Sequence, residues 1–481
     1  MDKKRNVISN LIWKFLERIG AQTVSLIVSI VLARYILPEQ YGSIAIILIF
    51  INIANVFVSE GFSTALVQKK NTDDTDYSTM FYCSTIISIL LYFVLFVVAP
   101  YIANFYKMPE LTWLLRILSL KLPISAINSI QHAYVSRNMM FKKFFFSTLL
   151  GTIGSGVIGI ALAIYGMGAW ALVIQYLINS LVDTIVLFFT IKWKPKLVFS
   201  VCRAKELLNY GWKITIGSLL NTIYNESRAL IIGKRYTSSN LAYYNKGVQF
   251  PQLIVTNIDA SIGSVLFPAL CMYGKSKEEL KKMTRISMKI SCFVIFPCMA
   301  GLAAISEPLI RVLLTDKWID AAFFLKIACI TQALQPINTA NIQMIKSSGK
   351  SDIFLKMEII KKISGIIILL ITMMYGIKIL AYGEILVVLL CNLVNAYPNN
   401  KIIGYGYKEQ ISDLVPNACI TICMFLFIST ISKLCPLTDL LLIIIEVFLG
   451  SVFYFSCAIL FKVDSLSYLL EYLKKIIKKG K

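Results

Sequence analysis

Long apolar runs separated by short polar segments dominate the chain. Eight runs approach or reach the roughly 20 residues that a helix needs to cross a bilayer. They are Ile44–Val58, Ile86–Val98, Ala169–Phe189, Ile290–Ile305, Ile363–Met374, Ile385–Val394, Ala418–Ile431 and Leu440–Leu460. Six further apolar segments are interrupted by polar residues: Ile8–Ile36, Leu111–Tyr134, Phe144–Ile164, Leu207–Ile232, Leu241–Leu270 and Ala321–Met344. Together these segments predict about fourteen transmembrane helices.

Composition supports a polytopic membrane protein. Of the 481 residues, 57% are hydrophobic and only 15% are charged, a balance outside the range of soluble domains. The basic start of the chain leads into the first span without a small-residue cleavage site, so no secretory signal peptide is expected. We therefore predict an all-α polytopic membrane protein.

Basic residues are distributed unevenly between alternate loops. The N-terminus, every second loop after it and the C-terminal tail hold 32 of the 48 Lys and Arg residues, whereas the opposite loops hold 9 and the spans hold 7. Because basic loops are retained on the cytoplasmic side, both termini are expected in the cytoplasm. The net charge of +22 then reflects loops facing an anionic leaflet, and nucleic-acid binding is not expected.

Short motifs recur about 200 residues apart. Trp13-Lys14 returns as Trp212-Lys213, and Arg34-Tyr35 returns as Arg235-Tyr236. Internal repeats are typical of secondary transporters, in which two bundles move around a site between them. We predict an N-terminal six-helix bundle at 1–200, a C-terminal six-helix bundle at 201–408, two additional helices at 409–461 and a basic amphipathic tail at 462–481, lying on the cytoplasmic leaflet.

Polar residues in the first two helices of each half recur at helical spacing and therefore share one face. The first and seventh helices carry Lys14, Arg18, Gln22, Ser25 and Ser29, and Lys213, Gly217, Asn221, Asn225 and Arg228. The second and eighth carry Asn52, Asn55, Ser59 and Ser63, and Gln249, Gln252, Thr256 and Asp259. A cation in hydrocarbon costs roughly 2.5–3.5 kcal/mol, so it normally faces a wet cavity or a partner. A cavity lined by cations suits an anionic substrate, although such faces also join helices through hydrogen bonds worth about 0.6 kcal/mol each.

Three motifs, in their order and spacing, resemble those of a known family. They are Ala33-Arg-Tyr-Ile-Leu-Pro-Glu-Gln-Tyr-Gly42, Ser59-Glu-Gly-Phe-Ser-Thr-Ala-Leu-Val-Gln68 and Tyr165-Gly-Met-Gly-Ala-Trp-Ala-Leu172. Over nearly its whole length the chain is similar to the oligosaccharidyl-lipid flippases called Wzx proteins, especially the colanic-acid and teichuronic-acid exporter branch of the multidrug/oligosaccharidyl-lipid/polysaccharide (MOP) exporter superfamily. The resemblance implies a MATE-like fold of two pseudo-symmetric six-helix bundles in a V, with two further C-terminal helices.

The resemblance also implies a function. Such proteins translocate undecaprenyl-pyrophosphate-linked oligosaccharides to the outer leaflet for O-antigen, capsule or exopolysaccharide biosynthesis, by alternating access and without enzymatic chemistry. It implies a cationic cavity at Arg18, Arg34, Lys213 and Arg228, and the polar stripes extend this substrate-binding set. The added residues are Lys14, Asn52, Asn55, Asn221, Asn225, Gln249 and Gln252. Glu60 and Asp259 are candidates for ion coupling, no cofactor is expected, and a polysaccharide polymerase and glycosyltransferases are candidate partners.

Three alternative functions are weaker. An ion-coupled multidrug antiporter of the same superfamily should place carboxylates centrally in its first helices, whereas Glu17, Glu60 and Glu226 adjoin a cation or a helix end. A glycosyltransferase should carry its carboxylates on a large loop, but the one Asp-x-Asp pattern, Asp74-Thr-Asp76, lies in a short loop. A channel is not favoured, because the sequence contains no glycine-rich loop like those of selectivity filters. His132 has no ligand-forming neighbours at metal spacing, so no metal site is expected.

Overall fold

The computed structural model describes residues 2–274, 276–434 and 437–468, and every regular element in these ranges is a helix. By their internal contacts the residues form two compact units, Met1–Ala242 and Tyr243–Lys481. Both units consist of α-helices, and most of the long helices are predominantly apolar.

The first unit is built on two groups of long helices. Its elements are α1 (Asp2–Tyr35), α2 (Pro38–Gln68), α3 (Asp74–Tyr106), α4 (Leu111–Leu118), α5 (Lys121–Arg137), α6 (Phe141–Ile164), α7 (Ala169–Thr190) and α8 (Val201–Arg235). Helix α6 packs along both α1 and α7, while α2 packs along α5 and α8. Glycines permit the closest of these contacts: a Cβ added at Gly156 of α6 would lie 2.4 Å from the Val28 side chain of α1.

The second unit is organised around one helix, α10. The elements of this part of the chain are α9 (Ser238–Tyr273), α10 (Lys277–Ala304), α11 (Ser306–Leu314), a 3-10 turn (Asp316–Trp318), α12 (Ala321–Ala333), α13 (Gln335–Ser347), α14 (Ser351–Thr372), α15 (Ile377–Ile403), α16 (Tyr407–Leu434) and α17 (Asp439–Leu460). Helix α10 packs against α12, α13 and α16, and α17 packs on α16.

The helix count agrees with the sequence. Eleven spans among the described residues are long and apolar enough to cross a membrane, with α4 and α5 counted as one span. Three further segments, α8, α14 and the pair α12–α13, are long enough but carry more polar residues. They correspond to segments that the sequence predicts as spans, and they bring the described total to about fourteen. The predicted all-α, multi-pass fold class is confirmed.

The internal repeat is visible in the order and detail of the helices. Helices α1 and α8 have nearly equal lengths, and each leads through a short turn into a long helix that begins at Pro38 or Ser238. The third helix of each half contains a proline, Pro100 in α3 and Pro297 in α10. The fourth span of each half is interrupted, as α4–α5 in the first half and as α12–α13 in the second.

The contact boundary differs from the repeat boundary. The first compact unit ends at Ala242, because α8 packs along α2 of that unit. The repeat instead predicts a boundary at 200/201. Contacts and repeats describe different properties, so the predicted division into 1–200, 201–408, 409–461 and 462–481 stays a prediction. Most of the predicted tail, from residue 469 onward, lies outside the described residues.

Helices α2 and α8 approach each other at a pair of glycines. A Cβ added at Gly61 would lie 2.2 Å from Thr215 Oγ1 and 2.8 Å from the carbonyl oxygen of Gly211. A Cβ added at Gly211 would lie 2.8 Å from the carbonyl oxygen of Gly61. Small residues allow helix backbones to come this close in a membrane. The two glycines therefore set the distance between α2 and α8.

We expect Gly61→Ala to destabilise the first unit. The added methyl group has backbone in its way, and overpacking of this kind costs about 1–3 kcal/mol. The control is Gly217→Ala in α8, where an added Cβ meets nothing within 4 Å. The melting temperature of each variant is measured in detergent, as the temperature at which heating removes the monodisperse peak in size-exclusion chromatography. Gly61→Ala should melt below the wild type and Gly217→Ala should not, and equal melting of all three proteins would contradict the close crossing.

Candidate functional site

The α2–α8 crossing brings together two of the polar stripes. Asn52 Nδ2 of α2 donates a hydrogen bond to Glu226 Oε1 of α8 at 3.0 Å. Asn52 is exposed and Glu226 is partly buried. Glu226 received no binding role from the sequence, because its place beside Asn225 and Arg228 suggested only a neutralised acid. The structure shows that it holds an amide that the sequence assigns to the substrate.

The face of α8 carries the remaining predicted residues of that helix. Lys213, Asn221 and Asn225 are exposed, and Arg228 is partly buried. Fifteen positions separate Lys213 from Arg228, which corresponds to roughly 22 Å along a helix axis. The two cations therefore lie at different depths along the helix, and one diphosphate group cannot contact both at once. This face carries polar groups along much of the length of α8.

Helix α1 presents its basic residues differently. Lys14 forms an ion pair with Glu17 at 2.9 Å, and its Nζ lies 5.2 Å from the centre of the Phe144 ring in α6. Lys14 is thus already compensated within the protein. Arg18 is partly buried one turn further along, and Arg34 is exposed at the last turn of the helix.

The polar stripe of α2 is largely satisfied by its own backbone. Ser59 and Ser63 donate to the carbonyl oxygens of Asn55 and Ser59 at 2.9 and 2.7 Å. Asn55 is partly buried, and its side-chain Oδ1 is buried without a hydrogen-bond partner. Glu60 is exposed. Among the predicted binding residues of α2, Asn52 is exposed but also donates to Glu226, whereas Asn55 is only partly exposed.

The polar stripe of α9 lies in the second unit and lines a pocket there. Gln249 is partly buried and Gln252 is exposed. Asp259 Oδ2 accepts a hydrogen bond from Thr339 Oγ1 of α13 at 2.7 Å. Gln252 and Asp259 border a cavity of about 400 Å³ together with residues of α12 and α13. The sequence identified the α9 side of this pocket but not its opposite wall.

An ionic cluster, here called the α8 clamp, holds the start of α8 to the segment between α2 and α3. Lys69 Nζ lies 3.2 Å from Asp76 Oδ1 and 2.9 Å from Glu206 Oε2. Arg203 forms an ion pair with Asp73 and lies 3.4 Å from Asp76 Oδ1. The Asp74–Asp76 pattern is therefore the first turn of α3, in which Asp76 is buried and serves as an anchor.

Arg137 of α5 strengthens the same region from the side. It donates to the carbonyl oxygens of Leu66 and Val67, both at 3.0 Å, and of Lys70 at 2.6 Å. The last carbonyl groups of a helix have no partner within the helix, and a cation there also compensates the helix dipole. Arg137 therefore fixes the C-terminus of α2 to α5, beside the α8 clamp.

Two groups of the α8 clamp, Asp73 and Lys69, have shifted pKa values. A hydrogen bond from Arg203 lowers the pKa of Asp73 below its ordinary value, and a hydrogen bond to Glu206 raises the pKa of Lys69. The contribution of Asp73 is present above its unfolded pKa and is lost as the pH falls through its lowered pKa. That of Lys69 is present below its unfolded pKa and is lost as the pH rises through its raised pKa. The contribution of Asp73 is therefore complete above about pH 4, and that of Lys69 is complete below about pH 10.

A second polar network contains the only histidine. His132 Nε2 of α5 lies 2.9 Å from Asp183 Oδ2 of α7, and Asn128 Nδ2 donates to the same carboxylate at 2.7 Å. The His132 ring also meets the edge of Phe144 at 4.7 Å. Asp183 is 51 residues from His132 in the sequence, so no local spacing could have revealed this pair. Within the described residues no group of three or more His, Cys, Asp or Glu side chains is arranged to hold a metal ion.

Comparisons with known proteins show which family the sequence matches. Residues 31–323 match the family model described as polysaccharide biosynthesis protein. The succinoglycan biosynthesis transport protein ExoT of Rhizobium meliloti (strain 1021) is 23% identical over 360 residues, which are 75% of this chain and 73% of that protein. The lipopolysaccharide biosynthesis protein WzxC of Escherichia coli (strain K12) is 22% identical over 424 residues, which are 86% of this chain and 85% of that protein.

Solved structures support the fold. The lipid II flippase MurJ in its inward closed conformation matches with a TM-score of 0.76 at 16% identity, covering 95% of this chain and all of that one. An inward-facing multidrug resistance MATE family transporter of the MOP superfamily matches with a TM-score of 0.61 at 14% identity, covering 81% of this chain and 98% of that one. At such identities the likeness concerns the fold alone, and it confirms the predicted MATE-like fold class.

We expect Arg203→Ala to loosen the α8 clamp, whereas Lys205→Ala, two residues along the same helix and exposed, serves as the control. The Arg203 variant should lose a few degrees of melting temperature at neutral pH, because the buried Asp76 keeps only Lys69 as a cation. The deficit should shrink as the pH falls below about 4, because Asp73 is then protonated first in the unfolded chain and, at lower pH, in the folded protein. A deficit that is unchanged down to pH 3, or equal in Lys205→Ala, would contradict the ionic role.

Proposed function

Because the chain belongs to the polysaccharide biosynthesis protein family, we propose that it is a flippase for lipid-linked oligosaccharides. It carries undecaprenyl-pyrophosphate-linked repeat units from the cytoplasmic to the outer leaflet for surface polysaccharide biosynthesis. It acts by alternating access and forms no covalent intermediate. Its relatives include transport and lipopolysaccharide biosynthesis proteins, which supports this class of substrate.

The polar face of α8 carries the proposal. A transmembrane helix that exposes Lys213, Asn221 and Asn225 and partly buries Arg228 offers cations and amides where lipid-facing helices offer only apolar side chains. Arg18 of α1 adds a third cation, while Lys14 is already paired with Glu17. Cationic groups that a membrane protein retains within its spans normally face a wet pathway or an anionic partner. In this proposal the pyrophosphate headgroup is that anionic partner.

The attraction between the phosphate groups and these cations can be compared with the cost of removing the headgroup from water. One phosphate–cation contact at about 4 Å is worth on the order of 4 kcal/mol at an effective dielectric constant of about 20, before desolvation is subtracted. Arginine adds bidentate geometry, which a lysine ammonium lacks. Because Lys213 and Arg228 lie roughly 22 Å apart along α8, the headgroup would contact them in succession rather than together. The amides between them, Asn221 and Asn225, would bind sugar hydroxyls during the passage.

Membrane potential supplies the driving force in this proposal. Each negative charge that moves outward across an inside-negative potential of about 100 mV gains about 2.3 kcal/mol. The protein needs no nucleotide for this step. In the proposed topology both termini are cytoplasmic and the protein lies in the inner membrane. Glycosyltransferases then supply the substrate on the inner leaflet, and a polysaccharide polymerase consumes it on the outer leaflet.

We expect Arg18→Ala and Arg228→Ala each to reduce surface-polymer export more than tenfold in a strain that depends on this flippase. The protein should remain inserted and abundant. Arg→Lys variants should restore only part of the export, because an ammonium replaces one charge but not the two parallel hydrogen bonds. Accumulated lipid-linked oligosaccharide on the inner leaflet is the second readout.

The control is Lys326→Ala. Lys326 also lies within a predicted span, but it is paired with Glu307 at 2.6 Å outside the α1 and α8 stripes. Its loss should leave export close to normal. Full export by both arginine variants at normal abundance would show that the two arginines do not handle the headgroup.

A further inference from the structure

The second unit contains a polar pocket whose wall is built by two facing helical stripes. Gln252, Thr256 and Asp259 lie at spacings of four and three residues on α9. Gln332, Gln335 and Thr339 lie at spacings of three and four residues on α12 and α13. All six line one cavity of about 400 Å³, with Val255 and Ala260 as its other lining residues. The hydrogen bond from Thr339 to Asp259, at 2.7 Å, joins the stripes at one point.

The local fold explains why the two stripes face each other. Gly247 lets α9 approach α12 closely, since a Cβ there would lie 2.7 Å from the carbonyl oxygen of Ala321. The span opposite α9 is discontinuous: α12 ends at Ala333 and α13 begins at Gln335, with Pro336 in its first turn. Gln332 and Gln335 stand on either side of this break. Interrupted spans commonly line substrate sites in transporters, because polar backbone groups are tolerated only beside a cavity.

The chemistry of the wall selects the ligand. Three amides, two hydroxyls and one carboxylate form the polar lining, and no Lys or Arg is among the eight lining residues. A phosphate group would meet the Asp259 carboxylate without a compensating cation. A hydroxyl group of a sugar both donates and accepts, which matches amides that do the same and a carboxylate that accepts. Asp259 Oδ1 is buried and has no hydrogen-bond partner, so the wall has an acceptor to spare.

The size of the cavity favours a sugar over a bare ion as its ligand. A volume of 400 Å³ equals that of about a dozen water molecules in the liquid, and it falls within the usual range of small-molecule pockets. A single cation bound by one carboxylate would leave most of this space unfilled. The pocket is therefore suited to one or two pyranose rings.

We propose that this pocket is a carbohydrate subsite that binds part of the oligosaccharide of the lipid-linked substrate. The inference rests on the proposed flippase function and extends it. The cationic α8 face handles the anionic headgroup, and the pocket of Gln252, Thr256, Asp259, Gln332, Gln335 and Thr339 reads the sugar. Because this wall has no charge attraction for phosphate, it contributes specificity rather than headgroup affinity.

Two lipid probes test the subsite with full-length protein in nanodiscs. One is undecaprenyl pyrophosphate, which has no sugar. The other is the lipid-linked oligosaccharide isolated from a strain in which this gene is deleted. Asp259→Asn and Gln335→Ala should each weaken binding of the sugar-bearing lipid about tenfold and change binding of the sugar-free lipid less than twofold. Gln343→Ala, on α13 but outside the pocket lining, should change neither.

A melting curve identifies any variant that fails to fold, and Thr256→Val, at an exposed position, then replaces it. Equal weakening of both lipids, or no weakening of either, would overturn the subsite. Binding of the sugar-free lipid that depends on sodium and is lost in Asp259→Asn would assign an ion site instead. Wild-type protein that binds both lipids equally overturns the subsite alone, whereas wild-type protein that binds neither contradicts the flippase function as well.

Discussion

The cost of placing charge in hydrocarbon governs this molecule. Each cation in a span costs roughly 2.5–3.5 kcal/mol, and the structure shows how several of these costs are met. Lys14 is paired with Glu17, and Lys326 with Glu307. Arg116 donates to the carbonyl oxygen of Phe96 and packs on its ring. Against this background the exposed Lys213 of α8 stands out, because its environment is complete only beside water or an anion.

The fold places the α8 face through contacts at two levels. Gly61 and Gly211 bring the backbones of α2 and α8 together, which aligns Asn52 with Glu226. At the start of α8, Arg203 and Glu206 are tied to Asp73, Asp76 and Lys69. The stripe is thus anchored at its first turn and again along its length, so its polar groups keep a fixed register against α2.

The sequence predicted the helices well, because apolar runs and their interruptions report directly on burial in a bilayer. It also predicted which faces of α1, α2, α8 and α9 are polar, since helical spacing is a local property. It did not reveal partners across the fold, such as Asp183 for His132 or Glu226 for Asn52, which are 51 and 174 residues apart. The stripe Gln332, Gln335 and Thr339 carried a usable signal at helical spacing. The same polar residues also fit an interruption of an apolar run before Pro336, so the sequence alone did not identify them as one wall of a pocket.

In the proposed mechanism an anionic headgroup crosses beside fixed cations, and voltage drives its outward movement. The direct measurement uses proteoliposomes with a labelled lipid-linked oligosaccharide and follows headgroup accessibility, first against imposed voltage at fixed pH and then against a pH gradient at zero voltage. We expect a flipping rate that rises with inside-negative voltage and changes little with the pH gradient. Flipping that ignores voltage and follows only a proton or sodium gradient would contradict it and would indicate an ion-coupled antiporter.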